Sequence, residues 1–567
     1  KNIESDVLII GGGIAGCFAA IKAKDCGLDV VMVDKGHIGK IGSSAFAGGY
    51  YGVFNPDWGH DFDASMKQIC QIGEYINHQG WMECVLKESY DRYKDLISWG
   101  IDFVKNEDGT LFKNRRGALE CLNLFRRKYM PVLREKVIEK GIQIVDRIMT
   151  TDLITCEDRV MGAVGFHTRT GDFYIFRSKA TVIAAGTGGF KQGSMPTAFL
   201  TADGDTMAYR AGAEITGKEF SFGERSAGVI ADSPAWRGHG MATVRFAKYI
   251  TAEGEEVIFR KGYYPGIRDT NPAYEVHAGR GPIYWNLNAA NEEDIASMKH
   301  HQKATGTDLE TERIGLDVGG GGKIPMVGGA FTGSGVHGGS SGICPVDTTG
   351  ASSLQGLFAA GDGCGSMQSG ATFPGPESGL RDASVTGARA GQSAGEYALK
   401  TARLKSDTEE IARLKEVVYV PIERKGGFTA DWVTQQLQNI MLPYYVWLVK
   451  HGDRMQAALT QIEFISSHIV PKLTAKDPHE LRMAHESKSM ALNAQMMLQT
   501  SMFRKESRGS HYREDYPRRD DPAWLAWVKL KKENDTMKVW KQPIPKEWWP
   551  DLSIPYEERY PNIFPGE

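Results

Sequence analysis

DVLIIGGGIAG, residues 6–16, is an apolar run that breaks into glycines and leads straight into a helical pattern. Residues 6–10 read as a strand covered on both faces, as in a parallel sheet. Gly11, Gly13 and Gly16 then fit G-x-G-x-x-G, which allows a tight turn and close approach of the backbone to a pyrophosphate. The helix expected over about 14–27 presents its N–H groups and positive end to that phosphate. A second strand, Val30–Val33, follows, and Asp34 at its end is placed to bind a ribose hydroxyl. Glycines alone are weak evidence. Strand, helix and acid in one register make a dinucleotide-binding βαβ unit.

Working outward, two more strand-to-glycine turns occur, at 182–189 (VIAAGTGG, with Gly186) and 356–363 (GLFAAGDG). The pair Gly361-Asp362 can set a carboxylate near a ribitol hydroxyl. A chain that returns to its nucleotide domain after a long insertion suits an extended cofactor, so FAD is expected rather than NAD. Residues 60–145 read as mostly helical, broken at Gly100 and Asp108-Gly109, and 150–178 as a β-meander. Residues 215–345 mix short strands, aromatics and glycines without a period. Residues 405–515 carry the polar patterning of a helical bundle. The expected fold is α/β. A Rossmann-type FAD domain is split over 1–220 and 346–404, with an inserted α+β capping domain at 221–345. A C-terminal helical domain follows at 405–520, then an extended arm rich in Trp and Pro at 521–567.

At 567 residues the chain needs two or three domains. A formal net charge of -3 argues against general nucleic-acid binding, which needs a basic face. No apolar run is long enough to span a bilayer, and no secretory leader precedes the first strand, so a cytoplasmic location is expected. The eight cysteines (17, 26, 70, 84, 121, 156, 344 and 364) include no C-x-x-C pair. Neither a disulfide framework nor an internal iron–sulfur cluster is expected, since clusters want closely spaced thiolates. No metal site is assigned, and any such cluster belongs to a partner chain.

With the three glycine turns in hand, the chain resembles the fumarate reductase/succinate dehydrogenase flavoprotein superfamily over nearly its whole length. Lys505–Pro517 (KESRGSHYREDYP) and Asp477–Leu481 (DPHEL) are the most specific features. Within the superfamily the helical region and Trp-rich arm look most like the alpha subunit of adenylylsulfate reductase. The resemblance implies an FAD domain, a capping domain, a helical domain and a separate ferredoxin-like iron–sulfur subunit. It assigns Gly11, Gly13, Gly16, Asp34 and Lys35 to the FAD turn, and Ser43, Ser44, Gly48 and Gly49 to a flavin-facing loop. It adds Gly186, Asp203, Gly361, Asp362 and Leu380 as FAD contacts. Gly42 stands where respiratory members carry a histidine bonded to the flavin, so non-covalent FAD is expected.

Arg268, in Ile267-Arg268-Asp269 ahead of Gly279-Arg280-Gly281, resembles the family's catalytic arginine. A guanidinium in a dry cleft steers anions and stabilises developing negative charge. His337, in GVHGGSSGI, matches the family's substrate histidine and can donate to an oxyanion. Arg225 and His239 are candidate substrate contacts, although the cluster Arg237, His239 and Arg245 also fits a solvated face. The family's second substrate arginine would fall near Phe373-Pro374, and its Thr-Glu pair near His239-Gly240, so the dicarboxylate clamp is not intact. Residues expected of adenylylsulfate reductase are likewise changed around Phe331, Pro196 and Val53. Arg381 could reach a pyrophosphate or simply pack its helix. Trp524, Trp527, Trp540, Trp548 and Trp549 suit either a partner interface or packing on the chain's own helical domain.

Three functions compete. One is an FAD oxidoreductase subunit passing electrons between a small anionic or activated carbonyl substrate and an iron–sulfur partner, within a hetero-oligomer. The second is a divergent adenylylsulfate reductase alpha subunit. The third is a catalytically idle flavoprotein scaffold or electron conduit.

Overall fold

The computed structural model describes residues 1–47, 49–116, 119–124, 128–191, 199–220, 248–257, 341–403 and 408–567. Between 221 and 340 it also describes 222–223, 275, 278–286, 288, 292, 295, 323–325 and 336–337. Five parallel strands make the central sheet: β1 (Val7–Ile10), β2 (Val30–Asp34), β3 (Gln143–Asp146), β4 (Ala180–Ile183) and β5 (Leu357–Ala359), in the spatial order β3-β2-β1-β4-β5. The apolar run at 6–10 is covered on both sides, and every residue of β1 is buried. Chain order reverses between β1 and β4, and ligands of such sheets bind at that reversal, beyond the carboxyl ends of the strands.

Two long helices frame that end of the sheet. Helix α1 (Ile14–Asp25) leaves the first glycine turn, and α2 (Pro376–Lys400) follows the return strand. They lie against each other in parallel because Gly387, Gly391 and Gly395 recur every fourth residue. A Cβ at Gly387 would stand 2.3 Å from the Ala15 carbonyl oxygen, and one at Gly391 2.2 Å from that of Ala19. Backbone-to-backbone approach is therefore possible only with glycine. The meander is present as Ile148–Cys156, Arg159–His167 and Phe173–Arg177, with Asn2–Glu4 added at its edge.

Two expectations change. Residues 60–145 are not uniformly helical: Lys113–Arg116 and Leu119–Asn123 pair with each other, and the latter pairs with Tyr50–Val53. The tail is not simply extended. Ala526–Glu533 and Thr536–Pro543 form a hairpin across Asn534-Asp535, both at positive φ (50° and 59°), the backbone that a two-residue hairpin loop demands. The hairpin pairs with Ile215–Thr216, which pairs with Gly342–Ile343. It thus clasps the two segments that lead into and out of the insertion.

The two specific C-terminal motifs have physical explanations. DPHEL starts the helix α3 (Pro478–Phe503): the Asp477 side chain accepts from the Glu480 N–H at 2.8 Å, and Glu480 accepts from the Lys476 N–H at 2.8 Å. Proline at the first helical position completes the start. KESRGSHYREDYP builds a buried ionic node. Glu506 accepts from Arg504 (2.7 Å) and Arg508 (2.8 and 2.9 Å), Arg504 reaches Glu219 (3.0 Å) and the Ala526 carbonyl (2.6 Å), and Arg508 reaches Asp521 (2.6 Å) and the Glu74 carbonyl (2.8 Å). The side chains of Arg504, Glu506, Arg508 and Glu219 are wholly buried. Four segments are tied there, around Glu74, Glu219, Glu506 and the stretch from Asp521 to Ala526.

Candidate FAD site

The site begins where β1 ends. Gly11 has φ +115°, and a Cβ on it would stand 2.2 Å from the Ala184 carbonyl oxygen; one on Gly16 would stand 2.0 Å from that of Gly11. The N-cap residue Gly13 brings no side-chain cap to α1 and no acid lies in its first turn, so the start of the helix suits an anion. The Ile14 N–H instead donates to the Ser44 hydroxyl at 3.1 Å, which brings the Ser43-Ser44 loop to the turn. Asp34 stands at the end of β2 beside the turn. Its carboxylate accepts from the Gly12 and Gly36 N–H groups, both at 2.7 Å, which fixes its orientation toward the turn. Burial pushes its pKa up, against the pull of those two donors.

On the opposite side of α1, the other two glycine turns meet. A Cβ on Gly363 would stand 2.6 Å from the Gly186 carbonyl oxygen, and one on Gly361 2.8 Å from the Ala15 Cβ. Asp362 lies between them, its pKa raised to about 6 by burial and by neighbouring Asp382. These carboxylates and this cradle of glycine backbone fit a dinucleotide that runs from Asp34 past the α1 N-terminus toward Asp362. At position 42, where a covalent link would need a histidine, Gly42 offers no side chain. Gly49 takes φ +76° and lies close to the Leu124 carbonyl.

Other expected contacts are employed differently. Lys35 donates to Thr201 (2.7 Å) and Asp203 (2.8 Å) and pairs with Glu486 of α3 (3.0 Å). Lys35 and Asp203 therefore tie the FAD domain to the helical domain, with one Asp203 oxygen still lacking a partner among the described residues. Burial alone would raise the Glu486 pKa, but Lys35, Lys191 and Arg482 outweigh it and hold the carboxyl well below its usual range. The Leu380 side chain packs into the core shared with α1. Gly48, Arg225, His239 and Arg268 lie outside the described residues. For His337 only the backbone is described, a two-residue strand with Phe222 opposite His337 and Gly223 opposite Val336.

The terminal tryptophans pack on their own chain, chiefly on the FAD domain rather than the helical domain. Trp527 donates to the Ile76 carbonyl (2.8 Å) and stacks on His78 (5.3 Å between centroids), which Trp548 also meets. Trp524 alone turns to α3, edge-on to Phe503. Sequence reasoning missed Glu486 and the Gly387/Gly391/Gly395 stripe. The stripe is visible as GARAGQSAG; nothing local marks Glu486.

Two family models match: an FAD binding domain over residues 6–224 and a fumarate reductase flavoprotein C-terminal domain over 434–560. The chain belongs to the fumarate reductase/succinate dehydrogenase flavoprotein superfamily. As a member it is an FAD-dependent oxidoreductase, and it holds FAD without a covalent bond. One subunit of the fumarate reductase (CoM/CoB) of Methanothermobacter marburgensis is 29% identical, with 94% of this chain and 97% of that protein covered. The fold is shared with Mycobacterium smegmatis Sdh1 in complex with UQ1 (TM-score 0.82, 23% identity, 99% and 98% of the two chains). It is also shared with adenylylsulfate reductase from Archaeoglobus fulgidus (TM-score 0.78, 22% identity, 96% of each chain). Among the described residues no helix is long and apolar enough to cross a membrane.

Proposed function

We propose that this flavoprotein is the FAD-bearing subunit of a cytoplasmic reductase, exchanging electrons between a small anionic or activated carbonyl compound and an iron–sulfur partner. The Methanothermobacter relative, itself one subunit of a fumarate reductase, supports the subunit reading. Bound FAD supplies exchange of two electrons and a proton with the substrate. In this reading Arg268 steers the substrate's negative charge and handles a proton, Arg225 and His239 add contacts, and His337 orients the substrate. Trp527 of the terminal hairpin is already committed to Ile76 and His78.

One observation carries the reading. The segments entering and leaving the insertion pair at Phe222–Gly223 and Val336–His337. Five residues after His337, Gly342 sits against the third glycine turn, where its Cβ would be 2.3 Å from the Gly363 carbonyl oxygen. This pairing and this contact support reading His337 as a substrate residue. Anaerobic purification from the native host, with the copurifying chains identified, tests the partner. Turnover with a panel of small anions, including sulfite with AMP, tests the substrate class. Arg268→Ala and His337→Ala should each lower kcat at least a hundredfold while leaving the FAD content unchanged. Unchanged turnover in both would refute the assignment.

A further inference from the structure

Helix α2 overruns α1. Gly387 faces Ala15 in the first turn of α1, and α2 begins at Pro376. At 1.5 Å per residue, Arg381 lies about 9 Å and Glu377 about 15 Å beyond the α1 N-terminus. With Asp34 placed to hold the adenosine half on the β2 side, the flavin half would leave along this overrun. The start of α2 has no side-chain cap, and its axis adds positive potential there, offset in part by Glu377 in its first turn.

Arg381 lies on this stretch and is 3% exposed. Its Nε donates to Asp382 at 2.7 Å, but its buried Nη1 has no hydrogen-bond partner among the described residues. The guanidinium folds back toward the helix start: a Cβ on Gly52 would meet Nη1 at 3.3 Å and the Glu377 carbonyl oxygen at 3.1 Å. Gly52 belongs to the strand Tyr50–Val53, with Cys121 opposite it and Asn123 opposite Tyr50, so Asn123 shares the face on which Arg381 lies. Asn123 is 1% exposed, and neither end of its carboxamide is hydrogen-bonded within the described residues. Folded chains rarely leave a buried cation and a buried amide unsatisfied, and a bound polar group at the same place removes the penalty. Two independent orphans on one face beside an uncapped helix start therefore mark the place of a polar, electron-rich ligand edge.

We propose that Arg381 is the cation that sets the electron affinity of the bound flavin, with Nη1 and the Asn123 carboxamide completing their hydrogen bonds on the polar edge of the isoalloxazine. FAD that takes up two electrons and one proton carries one extra negative charge on its ring. A fixed cation in a water-poor pocket favours that charged form over the neutral oxidised one. Loss of the cation lowers the potential and favours uptake of a second proton.

The test uses the full FAD-loaded chain without substrate, equilibrated with redox dyes from pH 6 to 9. Arg381→Met should reduce the ratio of reduced to oxidised FAD at fixed potential about tenfold, a shift of about 30 mV for two electrons. It should also move upward the pH at which reduction changes from two protons to one. Arg381→Lys should restore most of both effects. If Arg381→Met does not fold because Asp382 is left without a hydrogen-bond partner, Arg381→Gln removes the charge, keeps a donor for Asp382 and gives the same readouts. Wild-type potential and an unmoved pH break in whichever variant folds would overturn the proposal and leave Arg381 a packing residue.

Discussion

The glycine turn at 11–16 and the ionic node around Glu506 are both indispensable and are built by opposite means. The turn is backbone. Its partners are a few residues apart or on the adjacent strand, and its one close carboxylate, Asp34, is held by two N–H groups. The node is side chain. Arg504 meets Glu219 across 285 positions of sequence, and Arg508 meets the Glu74 carbonyl across 434. The turn commits its Gly12 and Ile14 N–H groups to Asp34 and Ser44 and leaves the rest of the helix start to a ligand, whereas the node spends its donors internally. A backbone-made site tolerates no added atom, while a buried charge cluster tolerates no missing partner.

The largest expected effect lies in the turn. Gly16→Ala places a Cβ where the Gly11 carbonyl stands, and the purified chain should lose the visible absorbance of bound FAD, with cooperative unfolding preserved. A variant that retains FAD would place the cofactor elsewhere. Next comes the node. Glu506→Ala leaves Arg504 and Arg508 without their shared anion and should lower stability by about 3–5 kcal/mol in denaturant titration. FAD content per folded molecule should stay at the wild-type value, and parallel loss of both would erase the distinction between the two regions. Asp34→Asn, which keeps shape but removes charge, should weaken FAD binding by about tenfold, of the order of one hydrogen bond to a charged group, as read by fluorescence titration.

The last effect is a slope. Lys450 is buried, donates to the Glu219 carbonyl (2.6 Å) and contacts His511 Nδ1 (3.0 Å), and burial, with Arg513 and Arg504 nearby, lowers its pKa to about 7 despite Glu219. An unfolded lysine titrates near about 10.4. Between about pH 7 and 10 the unfolded chain therefore binds the extra proton, and stability should rise with pH by up to about 1.4 kcal/mol per unit from this group. Lys450→Met should flatten the denaturation midpoint against pH in that window. An unchanged slope would mean that Lys450 keeps its proton in the fold.

Legibility follows the same divide. Gly11, Gly13, Gly16 and Asp34 can be read because their relation is local and periodic. The family resemblance assigns Lys35 and Asp203 to the cofactor, but the structure joins them to Glu486, which lies in a distant helix and is unmarked in the chain. The hairpin at 526–543 is obscured because its turn is Asn-Asp, without the glycine that usually signals one, and its strands carry many lysines. The tryptophans announce an interface, yet only packing reveals that His78 and Ile76 occupy most of it.

By itself the sequence determined the cofactor class, the split nucleotide domain and the glycine-mediated turn ahead of α1, because backbone conformation and helix periodicity are set by neighbouring residues. Only the tertiary structure decided which charges pair, which strands clasp the insertion, and that Arg381 Nη1 and the Asn123 carboxamide lack partners among the described residues on one face. Those facts depend on distances between residues far apart in the chain, and burial gives a charge its energetic weight only after the chain has closed around it.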